Sequence, residues 1–384
     1  MSGRREFIKR LAALGALGAS APFSFAALAN DKSARPGQPS VGVVLDPLFL
    51  QHDMKGHPET AKRLIAIDAE MERQGLWQQL TPVKGRMAEN DELLFAHDQN
   101  YIDEIEMLSR SGGGYYDQYS QDTYLNHATF DAAKMAAGSN IALNLAIYDR
   151  KVNRGFALLR PPGHHALANK AMGFCIFNSD VIAARALQQY RDVGKVAIID
   201  FDVHHGNGTQ DLVADDPTIM AISIHQHPYW PMTGGAKFTG REAAEGTIVN
   251  CPFQKGAGNE TYLSVYDRVI QPKLEVFQPD HIIVFSGYDA HWQDPLANHQ
   301  LSVAGFNQLV DKCLQSADTL CNGRISFTLG GGYNLNPLAQ CTVGTFHTLL
   351  NNPEKQQDLI GEAPTAETDY TETIDQLVQH HLQA

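Results

Sequence analysis

Cysteine is scarce in this 384-residue chain, and the little there is follows no pairing pattern. The five thiols, Cys175, Cys251, Cys313, Cys321 and Cys341, are scattered and odd in number, so no disulfide framework is implied. The absence of any Cys-x-x-Cys pair excludes the common structural zinc modules. If Cys313 and Cys321 share one helix they lie about 12 Å apart along its axis, too far for a bridge. Basic residues are outnumbered, 30 Lys and Arg against 43 Asp and Glu, for a formal charge of −13. That balance argues against nucleic acid as a partner and suits cationic ligands such as polyamines or lysine-rich peptides. No serine stands in a Gly-x-Ser-x-Gly context, which removes the commonest serine-hydrolase arrangement. Repeats and a Pro/Gly/Ser-rich central linker are also missing, so one large α/β domain is expected.

The N-terminus has a different character. Gly3-Arg4-Arg5-Glu6-Phe7-Ile8-Lys9 resembles a twin-arginine export signal; a weakly apolar stretch runs from Leu11 to Phe25, and Ala27-Leu28-Ala29 offers a cleavage site before Asn30. Residues 1–29 are therefore read as a signal peptide and 30–384 as the mature domain, exported and periplasmic, with no stable membrane association after cleavage. Beyond this segment no run reaches the ~20 apolar residues of a spanning helix. Residues 1–29 carry a net +3, so their removal takes −13 to −16. Folding and metal loading in the reducing cytoplasm before export would account for the lack of a disulfide framework.

Along the mature chain, Val41–Leu45 reads as a first strand, and His57-Pro58-Glu59 opens a helix containing Arg63-Leu64. Proline with an acid at a helix start is ordinary N-terminal chemistry, so Glu59 is assigned a structural role. A helix near Tyr101–Leu108 follows, then a glycine-rich loop, Ser111–Asp117, then a long alanine-rich helix from Phe130 to Tyr148. Four further stretches share one pattern, an apolar strand ending in a tight polar turn. They are Gly155–Leu159 into Arg160–His165, Val196–Ile199 into Asp200–Thr209, Ile282–Phe285 into Ser286–His291, and Ile325–Leu329 into Gly330–Asn334. Helical patterns such as Ala183–Tyr190 and Tyr262–Phe277 separate them. Strands alternating with helices imply right-handed crossovers and a parallel sheet covered on both faces, which brings all four turns to one edge.

The chemistry gathered there is specific. If strand geometry continues past Ile199, Asp200, Asp202 and His204 share a face. Asp202, His204 and Asp289 would make a three-ligand metal site with open positions, suited to catalytic Zn²⁺ and also to Fe²⁺ or Co²⁺. His164 and His165, delivered from the neighbouring strand, are proton handlers, and Asp200 and Asn207 orient their rings. Tyr333 supplies a phenol able to stabilise an oxyanion. These parts describe metal-assisted hydrolysis of a carbonyl derivative.

The sequences 160–166 (RPPGHHA), 173–178 (GFCIFN), 200–209, 288–291 through Asp294-Pro295-Leu296, and 330–334, with His57-Pro58-Glu59 and Arg63-Leu64, resemble the zinc-dependent histone deacetylase family, class II-like, in its bacterial acetylpolyamine amidohydrolase branch. The similarity runs from about Val41 to Leu350. It implies the arginase/deacetylase fold: a single α/β domain with a mostly parallel sheet of about eight strands sandwiched by helices, spanning 30–384. By resemblance, Asp202, His204 and Asp289 hold zinc, His164 and His165 are the tandem acid/base histidines, and Tyr333 polarises the carbonyl. Gly173, Phe174 and Trp230 line a narrow acyl-lysine tunnel, with Leu301 near its mouth. A structural K⁺ is implied at Asp200, Asp202, His204, Ser223 and Ile224, partly through backbone carbonyls. Trp230 replaces a more usual phenylalanine and Met232 a frequent glycine; both bear on tunnel width.

The expected substrate is a small acetylated amine, of acetylpolyamine type, or an acetyl-lysine peptide. Association into a homo-oligomer is left open. Two alternatives stand beside the deacetylase reading: an arginase-like two-manganese ureohydrolase, and a catalytically silent module that binds acylated ligands.

Overall fold

The computed structural model describes residues 39–117, 121–352 and 357–382; the signal-peptide reading of 1–29 lies outside them. Among the described residues there are ten strands: β1 Val41–Val44, β2 Thr81–Pro82, β3 Gly114–Tyr115, β4 Tyr124–Leu125, β5 Arg154–Ala157, β6 Val196–Asp200, β7 Ile219–Gln226, β8 Ile248–Phe253, β9 His281–Ser286 and β10 Ile325–Leu329. Eight form one sheet in the order β2-β1-β5-β10-β9-β6-β7-β8. Every pairing in it is parallel.

Side-chain alternation sorts each central strand between two cores. Val196 and Ile198 of β6 join one hydrophobic cluster and Ala197 and Ile199 the other; Ile283 of β9 likewise lies opposite Ile282 and Val284. One cluster receives apolar faces of the helices Gln99–Arg110, Thr129–Tyr148 and Ser179–Arg191. The other receives Lys62–Arg73, Val303–Leu320, Leu335–Leu349 and Thr371–Leu382. The single α/β domain with an eight-stranded parallel sheet between helices is as the sequence led us to expect. Among the described residues no helix is long and apolar enough to cross a membrane.

Three local expectations differ. The glycine-rich loop contributes β3, which pairs with β4 as a two-stranded antiparallel ribbon. The Tyr262–Phe277 pattern belongs to a helical run from Asn259 to Phe277 interrupted by a π segment, Tyr266–Ile270. The His164-His165 turn does not come from a neighbour of β6: β10 and β9 stand between β5 and β6. Crossover handedness restricts which edge the turns share, but strand order depends on how whole β-α units pack, so adjacency in sequence did not become adjacency in the sheet.

Candidate active site

The order β5-β10-β9-β6-β7 is what assembles the site, because five neighbouring strands end in polar turns at one edge. Open α/β sheets place ligands beyond the carboxyl ends of their strands. β6 stops at Asp200, and from there local hydrogen bonds replace the ladder: the Asp202 N–H donates to Asp200 Oδ1 and the His204 N–H to Asp202 Oδ1, each at 3.0 Å. Asp200 keeps the face of Val196 and Ile198 and reaches toward His164, and Asp202 and His204 converge with Asp289 from the end of β9. The alternation expected beyond Ile199 continues past the end of β6, with Phe201 and Val203 in the same core cluster as Ala197 and Ile199, while the side-chain-to-backbone bonds fix the Asp200 and Asp202 carboxylates.

Asp202, His204 and Asp289 each present one ligand atom within 4.8 Å of the others. His204 Nδ1 lies 3.2 Å from Asp202 Oδ1 and 3.1 Å from Asp289 Oδ2. Both carboxylates are buried, whereas the His204 side chain retains 11% exposure and is the face reachable from outside. Backbone donors fix the other carboxylate oxygens: Gly331 N–H to Asp202 Oδ2 at 2.7 Å and Val203 N–H to Asp289 Oδ1 at 2.9 Å. Gly331 has to be glycine here, since a Cβ would sit 2.1 Å from Asp289 Oδ2 and 2.6 Å from Asp202 Oδ2.

This cluster carries more negative charge than its surroundings neutralise. Burial, followed by repulsion from Asp202, pushes the Asp289 carboxyl up to about 7. Burial works the same way on Asp202, but His164 and His204 outweigh it and hold that carboxyl low. Two buried carboxylates and an imidazole aimed at one point, with charge left uncompensated, fit a divalent cation. Among the described residues this is the one group of three such side chains, and a second bridging carboxylate set is absent from it. His291, a possible partner in a two-metal arrangement by its place in Asp289-Ala290-His291, is buried elsewhere with Nδ1 accepting from the Gln293 N–H.

The two histidine rings lie with centroids 3.8 Å apart and planes tilted by 45°, yet their environments differ. His164 Nδ1 lies 2.8 Å from Asp200 Oδ2 and His165 Nδ1 2.8 Å from Asn207 Oδ1. Burial disfavours the charged form of both. At His164 the Asp200 and Asp202 carboxylates prevail and the pKa rises; at His165 burial and the neighbouring cationic imidazoles push it well below the usual value. His205, between them and the glycine turn in sequence, is a scaffold residue: Nδ1 lies 2.8 Å from Thr233 Oγ1 and Nε2 3.1 Å from Gln210 Oε1.

Gly173 and Phe174 adopt left-handed backbone angles, φ +56° and +67°. A Cβ on Gly173 would lie 2.3 Å from His165 Cδ2 and 2.4 Å from Trp230 Cη2, so that residue separates the two rings. Trp230 meets His165 edge-on at 4.7 Å, and Phe174 meets Tyr333 edge-on at 5.5 Å. Of these four rings, His165 and Trp230 lie 6.2 and 5.9 Å from the His204 ring. Met232 is 71% exposed at φ +66°, an angle glycine adopts more easily, in the turn following Trp230.

Leu301 corrects the expectation. It is fully buried in the larger core cluster, pairs with His291, and its N–H donates to the Ala290 carbonyl, so it lines no mouth. Apolar character at a turn end is shared by core and rim residues, and spacing alone does not separate them. Half-buried Leu296 is nearer the rim, its carbonyl accepting from the Tyr229 hydroxyl at 2.9 Å.

Residues whose roles the sequence left unassigned support the tyrosine turn. Asp294 Oδ2 accepts from the backbone N–H groups of Tyr333 (2.6 Å) and Asn334 (3.2 Å). Arg63 donates to the carbonyls of Gly330 (2.5 Å) and Gly332 (2.8 Å), and its guanidinium lies 5.2 Å from the Tyr333 ring centroid. Arg63 is in turn held by Glu59, as is Arg160, whose bidentate pair to that carboxylate spans 2.5 and 2.7 Å. The structural role expected of Glu59 is what its position allows, since it is fully buried.

A buried cation-binding cluster, two unequal histidines and a phenol at the carboxyl edge of a parallel α/β sheet define a hydrolase-type centre. The family model described as Histone deacetylase domain matches residues 57–349, and the chain belongs to that zinc-dependent family. It is 38% identical over 316 residues to Histone deacetylase 10, chloroplastic, of Oryza sativa subsp. japonica, covering 79% of this chain and 71% of that protein. Identity to Histone deacetylase-like amidohydrolase of Pseudomonas aeruginosa is 34% over 278 residues, covering 72% of each. The crystal structure of the HDA15 HD domain superposes with a TM-score of 0.81 at 32% identity, covering 90% of this chain and 95% of that one. The protein is therefore an enzyme of the deacetylase and amidohydrolase class, acting on amide bonds.

Proposed function

We propose that the enzyme removes N-acetyl groups from small acetylated amines of acetylpolyamine type or from acetyl-lysine peptides, with Zn²⁺ held by Asp202, His204 and Asp289. The observation that carries this reading is the convergence of those three ligand atoms beside two histidines of opposite protonation tendency. When bound, the metal ion supplies Lewis acidity toward the acyl carbonyl and toward water. Neutral His165, whose Nδ1 is occupied by Asn207, is the base that takes the proton from attacking water and returns it to the departing amine. His164, kept cationic by Asp200, stabilises the negative charge developing next to it. Burial raises the Tyr333 hydroxyl well above its ordinary pKa, so it stays protonated and donates to the carbonyl oxygen. Gly173, Phe174 and Trp230 confine the acyl-amine stem and exclude water.

The same reading assigns a structural K⁺ to Asp200, Asp202, His204, Ser223 and Ile224; pairing of Asp200 with Ser223 across β6 and β7 supports it by bringing those residues together. Export through the twin-arginine route would direct the enzyme to periplasmic acetylated amines rather than cytoplasmic proteins. The test is acetate release by the zinc-loaded enzyme from acetylputrescine, acetylcadaverine and acetyl-lysine peptides, ranked by kcat/KM. Release from none of them, with one Zn²⁺ bound per chain, would sink the proposal.

A further inference from the structure

The base assigned above works only if His165 presents an unprotonated Nε2, which requires the proton to sit on Nδ1. The partner of Nδ1 is an amide, not a carboxylate, and that makes a difference. Asp200 offers His164 an acceptor in either orientation of its carboxyl group. Asn207 offers His165 an acceptor through Oδ1, but a donor if its amide turns over. A reversed amide would place an N–H against His165 Nδ1, move the ring proton to Nε2, and leave the base with nothing to accept on.

On its other side the Asn207 amide meets a thioether. Asn207 Nδ2 donates to Met172 Sδ at 3.5 Å, and Asn207 is 91% buried, being only 9% exposed. A thioether can accept a hydrogen bond and cannot donate one. Reversal would therefore set a carbonyl oxygen against a sulfur lone pair and an N–H against the nitrogen that must carry the ring proton. No other partner for Nδ2 is seen among the described residues.

We infer that Met172 is a positioning residue: its sulfur fixes the Asn207 amide with Oδ1 toward His165, and so fixes the Nδ1-protonated tautomer that leaves His165 Nε2 free. The placement of Met172 is itself determined by the turn that builds the tunnel wall. The Cys175 N–H donates to the Met172 carbonyl at 2.9 Å, and Met172 and Cys175 form a bridge around Gly173 and Phe174. One short segment thus carries the wall on one side of His165 and, through Asn207, the selector of its tautomer on the other.

This inference rests on the deacetylase reading for its consequence, and its test separates the two. Met172→Leu keeps the volume and removes the acceptor; Met172→Gln keeps an acceptor; Asn207→Asp removes any need for one. The Leu variant is expected to lower kcat roughly tenfold with little change in KM, a fraction of the 10²–10⁴ that general bases contribute. The Gln variant is expected to recover most of that loss. In the Asn207→Asp background, Met172→Leu is expected to change kcat by less than about twofold, since a carboxylate accepts either way. Equal losses in the two backgrounds, or equal losses for Leu and Gln, would show a packing role and overturn the assignment. Imidazole ¹⁵N shifts of selectively labelled His165 read the tautomer with no turnover: wild type should show protonated Nδ1 and the Leu variant a mixture. An unchanged tautomer overturns the inference, even in a protein that releases no acetate, whereas absent acetate release with the expected shifts overturns only the deacetylase reading.

Discussion

Two buried charge clusters grip the Gly330–Tyr333 turn, and they are built on opposite principles. Glu59, Arg63 and Arg160 form a closed network in which one carboxylate is held by two guanidiniums whose other N–H groups donate to backbone carbonyls. Asp202, His204 and Asp289 form an open one in which two carboxylates face a single imidazole. Burial alone would raise the Glu59 carboxyl, yet Arg160, with His52 and Arg63, brings it down to about 2. Burial and Asp202 send Asp289 the other way, to about 7. The closed network holds the carbonyls of Gly330 and Gly332 through Arg63, and the open one holds the Gly331 N–H through Asp202. A complete network makes a scaffold, while an incomplete one makes a binding site.

The largest effect should come from the open cluster. Asp202→Ala or His204→Ala is expected to abolish metal retention and reduce deacetylase activity to background, checked by metal analysis and acetate release. Near-normal turnover in either variant would show that the cluster is not the catalytic metal site. Next, Glu59→Gln strands Arg160 in the interior and should destabilise the fold by about 3–5 kcal/mol, read from denaturant unfolding. A loss below about 1 kcal/mol would mean that the closed network is not a scaffold. Third, Tyr333→Phe should lower kcat by about 10²–10³ with stability nearly unchanged, the cost of one oxyanion donor.

The smallest effect sharpens the contrast most, because the two clusters should give opposite pH dependences. Glu59 has a folded pKa below its ordinary 4.5, so its contribution is present above that value and is lost as pH falls through about 2. Asp289 in metal-free protein has a folded pKa above its ordinary 3.8, so its contribution is present below 3.8 and is lost as pH rises through about 7. Asp289→Asn should flatten the second slope in the metal-free protein without the large penalty of Glu59→Gln. Excess metal should flatten it too, by favouring the ionised carboxylate. Thermal unfolding across pH 4–8, with and without chelator, checks both; an unchanged slope in Asp289→Asn would break the comparison.

Much of this is legible in the sequence. A strand that is apolar on both faces and ends in Asp-x-Asp-x-His-His-Gly announces a parallel sheet with polar chemistry at its edge. Four such stretches brought the proposed ligands, histidines and tyrosine to one edge of the sheet. The errors and omissions share a cause. His164 and His165 come from β5, which two strands separate from β6, and Leu301 lies in the core rather than at a rim. Asp294, Arg63 and Met172 act through backbone groups or through a second side chain, contacts that have no period or spacing in the sequence.

By itself, then, the sequence determined the secondary elements, the edge where their polar turns gather and the kinds of group delivered there, because side-chain alternation and local turn chemistry act over a few residues. Only the tertiary structure decided strand order, which aspartate is compensated and which is left open, and which way the Asn207 amide points. Those depend on burial and on partners 35 to 269 residues away in the chain, and it is low-dielectric contact between such distant groups that separates a scaffold carboxylate from a ligand.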